Sequence, residues 1–146
     1  MKLDKFLPLA SRRDIVECIR QAELRTSGEI RVHVEPKCPT ADPCERAVQV
    51  FNELKMYQTR KRNAALIYIA YKSRHLAIIG DSGINDVTPD DFWSDEMNTL
   101  AQFLKQGKAG EGVCQVIAQI GEKLREFFPP QDDDTNEQSD EISFGE

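Results

Sequence analysis

Ala64-Ala65-Leu66-Ile67-Tyr68-Ile69-Ala70-Tyr71 is a continuous apolar run of eight residues. A run of this length predicts a central strand buried on both faces, as in a sheet with helices on each side. Downstream, Lys72-Ser73-Arg74 is a short polar connection to His75-Leu76-Ala77-Ile78-Ile79-Gly80, so these two strands form a hairpin. Upstream, Glu29-Ile30-Arg31-Val32-His33-Val34-Glu35 alternates polar and apolar side chains, the pattern of a half-buried strand. Between it and the apolar run lie a loop, Pro36 to Pro43, and an amphipathic helix carrying Cys44, Ala47, Val48, Phe51 and Leu54. Strand, helix, strand predicts a right-handed parallel crossover.

Helices flank this unit on both sides in sequence. Ser11 reads as an N-cap with Asp14 in the capping-box position, followed by Ile15, Cys18, Ile19 and Ala22 at helical spacing, with Gly28 at the end. Thr88-Pro89-Asp90-Asp91 reads as a helix start, with Phe92, Met97, Leu100, Ala101 and Leu104 facing inward and Gly107 at the C-cap. The last helix carries Val113, Val116, Ile117, Ile120, Leu124 and Phe127, and Pro129-Pro130 stops it. The expected fold is a single α/β sandwich, a mixed sheet of three to four strands with about four helices covering both faces. Residues 1–10 form a lead-in, residues 11–130 the domain and residues 131–146 a tail.

The chain's 146 residues suit one domain, and its net charge of −6 is unevenly spread. Residues 131–146 hold seven acids and no base, which leaves 18 acids against 19 bases in residues 1–130, a net of +1. The acidity therefore belongs to the tail, whose polar composition predicts disorder. A nearly neutral folded part removes the electrostatic argument for nucleic-acid binding. No apolar run approaches the ~20 residues of a membrane-spanning helix, so direct membrane insertion is not expected. The first ten residues are interrupted by Asp4, Lys5 and Pro8 and do not read as a secretory signal. Cys18, Cys38, Cys44 and Cys114 are accordingly read as reduced, in a cytoplasmic chain.

Topology locates a candidate site. With the first two strands parallel and the third antiparallel, Thr26-Ser27-Gly28-Glu29, Arg60-Lys61-Arg62-Asn63 and Asp81-Ser82-Gly83 converge at one sheet edge. Two carboxylates beside a basic triplet and two glycine turns could hold a cation, a phosphate, or both. The same residues also read as turns with a rim of charge that neutralises itself. His33 and His75 read as surface strand residues. Other chemistries lack their motifs: Cys38 and Cys44 have no partner pair for zinc, and no phosphate-binding glycine loop or nucleophile elbow occurs.

Taken in order, the segments Thr26-Ser27-Gly28-Glu29-Ile30, Arg62-Asn63-Ala64-Ala65-Leu66-Ile67 and Ile78-Ile79-Gly80-Asp81-Ser82-Gly83-Ile84 resemble the TPM domain family over roughly residues 11–128. The likeness is to its short, soluble bacterial subgroup. The resemblance implies an α/β/α sandwich, with acid phosphatase activity and calcium binding in some members. It places metal ligands at Glu29 and Asp81, with Asp86 a third, while Arg60, Lys61 and Arg62 are the phosphate candidates. Two functions follow as expectations. One is a non-catalytic accessory or adaptor domain with a protein partner in a membrane-associated bacterial complex, Ca2+ being its candidate ligand. The alternative is a weak metal-assisted acid phosphatase. The first is preferred, because no residue is an evident nucleophile or general acid.

Overall fold

The computed structural model describes residues 1–131 and 137–146. Its elements are α1 (Leu3–Phe6), α2 (Leu9–Glu23), β1 (Glu29–Glu35), α3 (Pro43–Glu53), β2 (Ala64–Ala70), β3 (His75–Gly80), α4 (Ser82–Asn85), α5 (Ser94–Lys105), α6 (Ala109–Phe127) and β4 (Ser143–Phe144). They build one mixed four-stranded sheet in the order β3-β2-β1-β4. β1 runs parallel to both β2 and β4, and β2 pairs antiparallel with β3.

The strand register assigns each side chain to a layer. Ile30, Val32 and Val34 of β1, with Ala65, Ile67 and Ile69 of β2, pack with Ile15, Ile19, Leu100, Val116, Ile117 and Ile120 of α2, α5 and α6. The alternate residues of β2, Ala64, Leu66, Tyr68 and Ala70, pack with Ala47, Val50 and Phe51 of α3. Every residue of β2 is buried, as its unbroken apolar run requires. The sheet is thus the middle layer of an α/β/α sandwich. By the same alternation, β1 turns Glu29, Arg31, His33 and Glu35 toward the α3 side, where α3 itself covers β2 and β3.

Several boundaries differ from the sequence expectation, each for a local reason. α2 begins at Leu9, because Pro8 O accepts the first helical bond from Arg12 N–H, at 3.0 Å. Ser11 lies inside that helix, where its small side chain meets Gly110 of α6. α5 begins at Ser94: the Thr88 hydroxyl donates to Ile84 O at 2.8 Å, so it is engaged with the end of α4 and caps nothing. α3 begins at Pro43, capped by Asp42, whose Oδ1 accepts from Cys44 N–H at 2.9 Å. The one-turn helices α1 and α4 bring the helices among the described residues to six. Disorder after Pro130 is corrected for residues 137–146, which return to the sheet and supply β4; residues 132–136 lie outside the described residues.

Candidate functional site

The three segments placed together by topology do meet through their backbones. Glu29 N–H donates to Asn63 O (3.3 Å), Asp81 N–H to Ala64 O (2.9 Å) and Gly83 N–H to Arg62 O (2.8 Å). A Cβ on Gly83 would stand 2.0 Å from Lys61 O and 2.6 Å from Arg62 O, which is why glycine sits there. Arg62 itself has φ +50°, a left-handed backbone that sharpens the turn into β2.

Their side chains, however, take separate partners. Arg62 grips the buried Asp81 carboxylate with two bonds, Nε to Oδ2 at 2.7 Å and Nη2 to Oδ1 at 2.9 Å. Asp81 Oδ1 also accepts from Ser82 N–H at 2.7 Å, making Asp81 the N-cap of α4. Glu29 Oε1 accepts from Glu137 N–H at 2.7 Å, Arg60 N–H donates to Glu137 Oε2 at 3.1 Å, and Lys61 Nζ lies 3.5 Å from Ser27 Oγ. Asp86 is exposed at the end of α4. The carboxylates expected to hold Ca2+ are therefore committed to protein donors, and in this arrangement they do not fit the ion. Among the described residues, no group of three or more His, Cys, Asp and Glu side chains is placed to hold a metal.

Glu29 belongs instead to a carboxyl cluster. Burial raises the Glu23 pKa well above the usual carboxylate range, helped by hydrogen bonds with Asp140 and Glu29, against the opposing bond from Ile30 N–H. Burial also raises Glu29, although Glu23 and the Glu137 N–H hold it back. Carboxyls this close share protons, since two adjacent charges in a dry site repel. Arg20 Nε approaches Asp140 Oδ2 to 3.8 Å at the outer rim.

A second network lies at the far end of β1. The Glu35 carboxylate accepts from Arg46 Nε (2.8 Å) and Nη2 (2.9 Å), and from the Tyr68 hydroxyl. Burial works to raise this carboxyl, but the bonds from Arg46, Tyr68 and His33 outweigh it and bring its pKa down to about 2. Burial keeps His33 neutral at ordinary pH by lowering its pKa, with Glu35 opposing. Because ionised Glu35 only accepts, the His33 proton belongs on Nε2, 3.4 Å from Glu35 Oε1. Nδ1 is then the acceptor for the Ser143 hydroxyl at 2.9 Å. His33 is 5% exposed, which corrects its reading as a surface residue. His75 is half-buried beside Cys38, whose thiol donates to Thr40 O at 3.3 Å.

What covers the β1 row is the C-terminal segment, residues 137–146. Glu137 meets Glu29, Gln138 Oε1 lies 3.5 Å from Arg31 Nη1, Ser143 meets His33, and Gly145 N–H donates to Val34 O at 2.9 Å. Glu23, Arg46, Tyr68 and Ser143 were absent from the sequence-level candidates. The available signal was Ile142-Ser143-Phe144-Gly145, an alternating stretch inside an otherwise polar tail.

The solved NMR structure of the BA42 protein from the psychrophilic bacterium Bizionia argentinensis is 42% identical, with a TM-score of 0.90 over 99% of both chains. The N-terminal domain of the cg2496 protein from Corynebacterium glutamicum shares the fold at 14% identity, with a TM-score of 0.62 over 94% of this chain and 79% of that one. No curated protein matches the chain. The family model described as TPM domain matches residues 2–123, well over half the sequence, and the chain belongs to the TPM domain family.

Proposed function

We propose that the chain is a non-catalytic accessory or adaptor domain that binds a protein partner within a membrane-associated bacterial complex. One observation carries this reading: β1 presents an outer edge seven residues long, and among the described residues His33 and Val34 are the two of it that pair with β4. An incompletely filled strand edge adjoining a polar row is a surface for adding an extended chain. The test is photo-crosslinking in the native host, with p-benzoylphenylalanine placed at the exposed Arg13, which lines the recess beside this edge, or at the exposed Val87. A discrete product from position 13, in the membrane-associated fraction and absent from position 87, is the expected result. Equal or absent products at the two positions refute it.

The phosphatase reading draws on the convergence of Glu29, Arg62 and Asp81. It requires Arg62 to release Asp81 and Glu137 to release Glu29 before a cation or phosphate enters, so the present geometry favours the accessory role. Turnover of p-nitrophenyl phosphate that falls in both Glu29→Ala and Asp81→Ala would reverse this preference. Equal rates in wild type and variants are expected.

A further inference from the structure

The occupant of the β1 edge reveals what that edge selects. Ser143 places a hydroxyl on His33 Nδ1, which can only accept while Nε2 faces Glu35. Phe144, the next residue, turns to the other side of the strand, toward α2. There the Arg12 guanidinium lies 5.3 Å from its ring centroid, beside a recess of about 350 Å³ formed with Leu9, Val16 and Ile142. Gly145 follows on the first side again. A Cβ there would stand 2.7 Å from Glu35 Oε1, 2.9 Å from Glu35 Cβ and 3.1 Å from His33 Nε2. Glu35 cannot retreat, because Arg46 and Tyr68 hold it. The groove therefore reads three consecutive positions: a hydroxyl, an aromatic ring and a glycine. Arg12, Arg13 and Arg20 along α2 add a basic wall suited to acids preceding that triplet.

The native occupant is shallowly seated. β4 has two residues, and Phe144 remains 42% exposed. We propose that the β1 edge is a receptor for an extended, acidic partner segment carrying hydroxyl, aromatic and glycine in succession, and that residues 137–146 are an autoinhibitory strap occupying it in cis. This inference rests on the adaptor reading and names the chemistry of the partner and its regulation. The strap and the partner compete for one groove, so apparent affinity falls by the fraction of chains whose groove is open.

The probe is a fluorescent peptide with the sequence of residues 137–146, titrated by anisotropy into the purified full chain. Two variants open the groove independently: Gly145→Val, which clashes with Glu35, and Phe144→Asp, which unseats the ring without touching Glu35. Both are expected to bind the peptide about 10-fold or more tighter than wild type, where the cis strap competes. A peptide with valine at the glycine position should bind neither. Absence of binding to both variants, each melting like wild type, overturns the proposal, as does equal binding to wild type and variants. A wild-type chain that is dimeric, and that Gly145→Val turns monomeric, also overturns it in favour of strand exchange between copies. The assay uses the chain alone, so it reports on the groove whether or not crosslinking in the host finds a partner.

Discussion

Replacing Arg46 by methionine isolates the ion pair that fastens α3 to the end of β1. The Glu35 side chain is 6% exposed and Arg46 16%, too enclosed for water to screen the pair strongly. Holding Glu35 at about 2 rather than 4.5 corresponds to about 3 kcal/mol of native stability at neutral pH. The native state holds fewer protons here than the unfolded chain. The contribution is therefore complete above pH 4.5 and disappears as the pH falls toward 2. At pH 3 about 2 of the 3 kcal/mol is gone, leaving about 1. Arg46 supplies the largest of the bonds that lower Glu35, with Tyr68 and His33 supplying the rest, so Arg46→Met should cost up to about 3 kcal/mol at pH 7 and about 1 kcal/mol at pH 3, and other carboxylates cancel in the difference. Urea unfolding followed through Trp93, the one tryptophan and 6% exposed, reads both values. With a slope of about 2 kcal/mol per molar, the neutral midpoint falls by up to about 1.5 M. A cost that is the same at both pH values refutes control of Glu35 by Arg46, and so does a cost below about 1 kcal/mol at pH 7.

Three further outcomes follow from other contacts. Gly83→Ala forces a Cβ against the carbonyls of Lys61 and Arg62, which are backbone and cannot rotate away. It should lower stability by about 1–3 kcal/mol in urea unfolding. Asp42→Ala removes the α3 cap and should cost about 1 kcal/mol in the same assay. Glu23 has a raised pKa, so the native state binds more protons than the unfolded chain once the pH exceeds 4.5, and stability declines as pH rises from there. Glu23→Gln keeps a neutral donor in place. Its melting temperature should match wild type near pH 4 and exceed it by about 3 °C or more at pH 8.

The central layer was legible because its information is local. Period-two alternation in residues 29–35, the apolar run of residues 64–71 and the three-residue connection before His75 each specify a strand without reference to distant residues. Convergence of the Glu29, Arg62 and Asp81 segments then followed from strand direction alone. Side-chain partnership did not. Asp81 beside Arg62 is as consistent with a cation site as with a helix cap, and only the two short bonds to Arg62 distinguish them. Thr88 carries an N-cap signature, yet its hydroxyl is taken by Ile84 O four residues earlier. His33 was misplaced for a different reason. A histidine between two valines reads as the wet face of a strand, and its cover arrives 110 residues later in Ser143.

That long-range cover changes what the acidic C-terminus means. Its charge works in both directions. Asp140 lies beside Arg20 but must also share hydrogen bonds with Glu23, and Glu137 accepts from Arg60 N–H while its own N–H serves Glu29. A purely solubilising tail has no reason to place a hydroxyl on a buried histidine or a glycine where any side chain would strike Glu35. Among the described residues, β4 pairs with two of the seven residues of β1. Specific seating combined with sparse pairing is the combination a displaceable strap requires.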